Sequence, residues 1–263
     1  MKKKGFLIGG AALILAGAMC FAAVLMKHGW DLQRLSNRDY HLRDGGRWKD
    51  VVHVVVEDRN TGVVIQRGKG SDVIITYWES DDSWYDIEQR DGSLFITKRI
   101  QSGFQLFNFD FVKRDLLISL PADFDGAISV ETKNGRIVAE DIVASGAMLS
   151  TKNADITLLG AKLKELRCDT ENGDFRLKNV SASKLLFVYG ENGDISVENI
   201  AAPKISIYDS NGDVSGTVAG RAGDYNVAFF TKNGDGSYQK NTGSAKEILI
   251  SNKNGDIDVT FTE

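Results

Sequence analysis

One short turn recurs seven times in the second half of this chain, and its spacing dictates a repeat fold. The turns are Asn134-Gly135-Arg136, Asn153-Ala154-Asp155, Asn172-Gly173-Asp174, Asn192-Gly193-Asp194, Asn211-Gly212-Asp213, Asn233-Gly234-Asp235 and Asn254-Gly255-Asp256. Subtracting the Asn numbers gives intervals of 19, 19, 20, 19, 22 and 21 residues. A near-constant period of this size marks units that bury their apolar faces only against their neighbours. Such an array offers a surface and does not by itself imply an active site.

Apolar residues fall in columns around each turn. Ile128, Ala147, Leu166, Leu186, Ile205, Val227 and Ile248 form one, and Val130, Leu149, Cys168, Val188, Ile207, Phe229 and Ile250 a second. After the turns come Ile137, Ile156, Phe175, Ile195, Val214 and Ile257. Polar residues alternate with them, a period of two that specifies strands. Asn-Gly suits a tight hairpin, so an antiparallel meander is one arrangement. The other is a coil whose equivalent strands stack in parallel about 4.8 Å apart. Only stacking explains the same residue at the same offset in every unit. The expectation is therefore an all-β, right-handed parallel β-solenoid, a single-stranded β-helix with coils of about 20 residues. In it Asn134, Asn153, Asn172, Asn192, Asn211, Asn233 and Asn254 form a corner ladder, with Gly135, Gly173, Gly193, Gly212, Gly234 and Gly255 beside it. Gly236 interrupts the pattern where the interval lengthens, so Tyr238–Asn241 are expected to bulge out.

Upstream, four short β-rich runs, Val52–Val56, Gly62–Ile65, Asp72–Tyr77 and Ser93–Thr97, are bounded by turn residues. They place irregular coils at 48–125 before the regular coils at 126–263, in one domain over 48–263. The N-terminus reads differently. Lys2-Lys3-Lys4 form a basic tail (1–5), and an uncharged run from Phe6 to Met26 is long enough to cross a bilayer of about 30 Å. A transmembrane helix or signal anchor is expected at 6–26, with a linker at 27–47 and the C-terminal domain outside the cell. Cleavage as a signal peptide after Ala16-Gly17-Ala18 is the rival; Met before Cys20 disfavours a lipoprotein. Cys168, in a core column, reads as a small buried hydrophobe. A net charge of −4, with basic and acidic residues interspersed, carries no nucleic-acid footprint.

The apolar N-terminal segment, the short β runs, a strand ending Leu120-Pro121 and the repeated Asn-Gly-Asp turns together resemble the bacterial putative-adhesin family, domain of unknown function 4097. The resemblance covers roughly residues 48 to 263. It implies a β-helical fold and a role in adhesion or, as in some relatives, envelope stress, and supplies no catalytic residue.

Chemistry has few candidates. Asp155, Asp174, Asp194, Asp213, Asp235 and Asp256 stack after the turns, where each pair repels by roughly 1 kcal/mol in a water-like medium. A divalent cation would relieve this, but the nine-residue repeat of calcium-binding β-rolls is absent. Each Asp is instead expected to accept backbone N–H groups, with neither metal nor cofactor bound. Phe107, Phe109 and Phe111 alternate, with Trp78, Trp84 and Tyr85 upstream, either as a cap or as an exposed strip for sugar rings, membrane or a partner. His28, His41 and His53 all precede the repeats, which leaves a nucleophilic triad little to draw on. The expected function is a non-catalytic, membrane-tethered scaffold or adhesin-like module that meets an envelope protein or glycan. An envelope-stress regulator with a membrane partner and a polysaccharide-active enzyme are the alternatives.

Overall fold

The structure, a computed structural model, describes residues 39–101 and 114–262, together with Met19, Ala22, Ala23, Met26, Lys27 and Gly29. Two compact units divide the chain, Met1–Tyr40 with Gln101–Lys113 and His41–Ile100 with Arg114–Glu263. The membrane helix expected at 6–26 falls almost wholly outside the described residues. No helix among the described residues is long and apolar enough to cross a membrane.

The second unit is all β. Its early strands are β1 (His41–Trp48), β2 (His53–Glu57), β3 (Val63–Arg67), β4 (Val73–Glu79), β5 (Ser83–Arg90), β6 (Ser93–Ile100) and β7 (Leu116–Leu120). Ten strands follow across the regular region: β8 (Ala127–Glu131), β9 (Ile137–Glu140), β10 (Val143–Thr151), β11 (Ile156–Leu159), β12 (Lys162–Asn172), β13 (Phe175–Lys178), β14 (Ser181–Asn192), β15 (Ile195–Ile200), β16 (Lys204–Asn211) and β17 (Val214–Ala219). The chain closes with β18 (Asn226–Asn233), β19 (Tyr238–Lys240), β20 (Glu247–Asn254) and β21 (Ile257–Thr262). β1 thus begins inside the stretch read as a linker.

These strands form two large mixed sheets, which corrects the expectation of a single-stranded, uniformly parallel solenoid. One sheet runs β1-β4-β7-β3-β9-β11-β13-β15-β17-β21, and the other β19-β18-β20-β16-β14-β12-β10-β8-β2-β6-β5. Pairing is parallel through the regular region but antiparallel at β1–β4, β4–β7, β5–β6 and β18–β19. The reason is local turn chemistry. Asp91 and Gly92 both have positive φ, 48° and 75°, and fold β5 and β6 into a tight hairpin. At Gly236 (φ 99°) the chain leaves the stack and β19 returns antiparallel along β18. The stacking order also departs from chain order: β20 lies between β16 and β18, so the seventh unit is inserted between the fifth and the sixth.

The core lies between the sheets. Inward columns such as Val54, Ile128, Ala147, Leu166, Leu186, Ile205, Ile248 and Val227 are at most 5% exposed. Burying each large aliphatic side chain contributes about 2 kcal/mol. Cys168 sits in the adjacent column, where burial pushes its thiol far up and leaves it inert. A second corner carries left-handed residues at Asp141, Gly160, Asn179 and Asn199, with φ between 52° and 72°. There the Asn199 side-chain amide donates to Asn179 Oδ1 at 2.8 Å.

Candidate interaction surface

The Asn-Gly corner is a continuous ladder of side-chain amides. Each Nδ2 donates to the Oδ1 of the layer beneath: Asn134 to Asn60 (2.6 Å), Asn153 to Asn134 (2.7 Å), Asn172 to Asn153 (2.9 Å), Asn192 to Asn172 (3.0 Å) and Asn211 to Asn192 (3.0 Å). It then follows the permuted order, Asn254 to Asn211 and Asn233 to Asn254, both 2.7 Å. Asn60 is the rung the repeat does not reveal, because Thr61 stands where the other corners carry Gly or Ala. Asp58 builds that corner, accepting the N–H groups of Arg59, Asn60 and Thr61 on Oδ1 while the buried Tyr85 hydroxyl donates to Oδ2. The Asn172→Ala variant removes two exposed rungs, and denaturant titration should show a loss of about 1 kcal/mol.

The Asp column is held the same way. The backbone N–H of Asp174, Asp194, Asp213, Asp256 and Asp235 donates in turn to Oδ1 of Asp155, Asp174, Asp194, Asp213 and Asp256, at 2.8–2.9 Å. One oxygen of each carboxylate below is thereby committed to the backbone. Among the described residues no group of three or more His, Cys, Asp or Glu is placed to hold a metal ion. Phe107, Phe109 and Phe111 lie outside the described residues. Upstream, Tyr85 is buried and Trp84, on the edge strand β5, is 36% exposed.

A polar inner column underlies the corner. Thr132 and Thr151 donate to the Gly135 carbonyl, Thr170 to that of Ala154, Thr231 to that of Gly255, and the Asn252 amide to that of Gly212. Asp209 is the exception. Only 6% exposed, it leans into the space that Gly190 leaves, and neither carboxylate oxygen has a hydrogen bond; nor does Oδ1 of its column neighbour Asn252. Burial pushes its carboxyl from 3.8 up to about 6, helped by Asp194 and Asp213, while the Ser210 N–H, outside hydrogen-bonding geometry, offsets part of this. A raised acid pKa penalises the fold fully above about pH 6 and not at all below the unfolded value near 4. Asp209→Asn should therefore stabilise the protein by about 2–3 kcal/mol at pH 8 and by little at pH 4. Melting temperatures at the two pH values check the sign.

The outer face of the second sheet gathers aromatic side chains that sequence reasoning missed. Phe187 and Tyr189 of β14 point outward beside Tyr208 of β16, with the Phe187 and Tyr208 rings 5.7 Å apart and tilted by 44°. The Arg167 guanidinium lies 5.9 Å over the Phe187 ring. Met148, Tyr189 and Phe230 are 52%, 38% and 48% exposed on this face. A depression between Leu185, Phe187, Tyr208 and Leu249 is flanked by Lys204 and Glu247. One hydrogen bond and two ion pairs border the patch: Ser150 donates to Asp169 (2.5 Å), Lys152 pairs with Glu171 (2.9 Å) and Lys184 with Glu165 (3.6 Å). The signal available was the alternation of Phe187 and Tyr189 at outward positions, but it occurs in single units rather than as a repeat. Chemically, the face offers ring surfaces about one strand spacing apart, rimmed by groups that donate and accept hydrogen bonds.

The Toastrack DUF4097 family model matches residues 51–235, more than half of the chain. The chain belongs to this family. Among solved structures it is similar to a putative adhesin from Bacteroides fragilis, at 15% identity and a TM-score of 0.47, covering 84% of this chain and 97% of that one. A putative adhesin from Parabacteroides distasonis gives 12% identity and a TM-score of 0.41, covering 85% and 97%. A putative cell adhesion protein from Clostridium sporogenes gives 10% and 0.32, covering 86% and 100%. No curated protein matches the Toastrack chain.

Proposed function

We propose that this Toastrack protein is a non-catalytic, adhesin-like interaction module that binds cell-envelope glycan on the outer face of its second sheet. The observation that carries this reading is the half-exposed group of Phe187, Tyr189, Tyr208, Leu249 and Phe230 on adjacent strands of one rigid sheet. Sugar rings present C–H faces that stack on aromatic rings, while their hydroxyls need partners such as the bordering Lys152, Asp169 and Glu171. Binding by a preformed sheet avoids the ordering cost of a loop site. The uncharged run from Phe6 to Met26, with three lysines before it, supports attachment to the membrane and a domain outside the cell.

Co-sedimentation with purified envelope polysaccharide tests the reading. The wild-type chain should be retained, and the Tyr189→Ala/Tyr208→Ala variant should lose at least tenfold in affinity with its melting temperature nearly unchanged. Equal binding by both proteins would remove the face from the function. Turnover of the polysaccharide, abolished by changing a single Asp, would make the protein an enzyme instead.

A further inference from the structure

We propose that the free edge of β21 is a dimerisation strand, which pairs antiparallel with β21 of a second copy about a twofold axis at Thr260. The first sheet ends at β21, whose only strand partner among the described residues is β17. The sixth unit covers its start alone: Ile257 N–H donates to the Asp235 carbonyl, and Gly236 approaches the Ile257 carbonyl before the chain turns away. From Asp258 onward no strand among the described residues covers the edge. The other sheet ends are guarded in the usual ways. β1 carries Arg43 and Arg47 and a register shift between Asp44 and Arg47. β5 carries the ion-paired Asp86, Glu88 and Arg90, and β19 is three residues long with Lys240 at its end. β21 has continuous register, no Lys, Arg or Pro, and one charge, Asp258.

Backbone polarity fixes the register. The even-numbered carbonyls face β17, since Val214 N–H donates to Asp256 and Gly220 N–H to Thr262. The N–H and C=O groups of Val259 and Phe261 therefore point to the open side. Pairing Val259 of one copy with Phe261 of the other satisfies all of them with four hydrogen bonds. The same register keeps apolar residues on the core side, sets Thr260 against Thr260, and places Asp258 opposite Thr262 rather than opposite its own copy. A twofold axis makes this contact self-complementary and closed. A short edge of this kind gives a weak, concentration-dependent dimer, suited to doubling the number of binding faces and hence avidity.

Sedimentation velocity of the full chain over a concentration series, with cysteine cross-linking, tests this. The wild type should show a monomer–dimer equilibrium. Thr260→Lys, which sets two ammonium groups face to face on exposed positions, should raise the dimer Kd at least tenfold without lowering the melting temperature. In a Cys20→Ser background, Thr260→Cys should form a disulfide-linked dimer under mild oxidation, because non-hydrogen-bonded antiparallel pairs lie about 4.5 Å apart at Cα. Ser196→Cys, exposed in the middle of the same sheet, should not. A monomer at every concentration, a dimer indifferent to Thr260→Lys, or equal cross-linking at both positions would each overturn the proposal.

Discussion

Val188→Asp is expected to abolish the native fold at 25 °C. Val188 is fully buried in an inward column between Cys168 of β12 and Ile207 of β16. Its column neighbours supply no cation and only the weak donor of the Cys168 thiol, so the carboxylate must either stay charged in an apolar site or take up a proton. Together with the lost packing the cost is about 5 kcal/mol, comparable with the whole stability of an ordinary domain. Val188→Ala, which only leaves a small cavity, should cost about 2 kcal/mol and remain folded. Urea titration followed by circular dichroism separates the two. An unchanged midpoint for Val188→Asp would refute the column.

Gly193→Val should cost about 3 kcal/mol although it lies at an exposed corner. At φ 144° a β-branched residue is strained, and any Cβ would press on the Gly173 carbonyl and the Asp174 carboxylate of the layer below. The stack cannot open locally, because the next layer rests on Gly193 in the same way: a Cβ on Gly212 would press on the Gly193 carbonyl. Surface substitutions usually change stability by under about 0.5 kcal/mol, so the size of the loss is diagnostic. A melting temperature within a degree of wild type would show that the corners are not stacked in contact.

Much of this fold is legible in the sequence because stacking selects for sameness. The inner columns, the Asn rungs and the Asp positions could be read by offset alone, since each residue sits on its counterpart. What could not be read lies where units differ. Asn60 accepts the Asn134 rung from a corner that Asp58 and the distant Tyr85 build, with none of the Asn-Gly spacing to mark it. The hairpin at Asp91-Gly92 breaks the parallel arrangement through two positive φ angles, which no column records. Insertion of β20 between β16 and β18 leaves every offset unchanged, so an identical repeat pattern fits either stacking order. The aromatic face was illegible for a related reason: Phe187, Tyr189, Tyr208 and Phe230 occupy outward positions where the core imposes no identity. Phe107, Phe109 and Phe111 stand out in the sequence instead because they alternate within one segment.

Stack order decides which side chains share the outer face and leaves β21 at the edge, so it is the property to measure first. Ser210 of β16 lies beside Lys253 of β20, and Lys232 of β18 is one strand further away. Adjacent strands are about 4.8 Å apart, within disulfide reach, whereas a separation of about 9.6 Å is beyond it. In a Cys20→Ser background, mild oxidation of Ser210→Cys/Lys253→Cys should give an intramolecular disulfide. Ser210→Cys/Lys232→Cys should stay reduced. The reverse result, a bridge to position 232 and none to 253, would restore chain-order stacking and contradict the architecture described above.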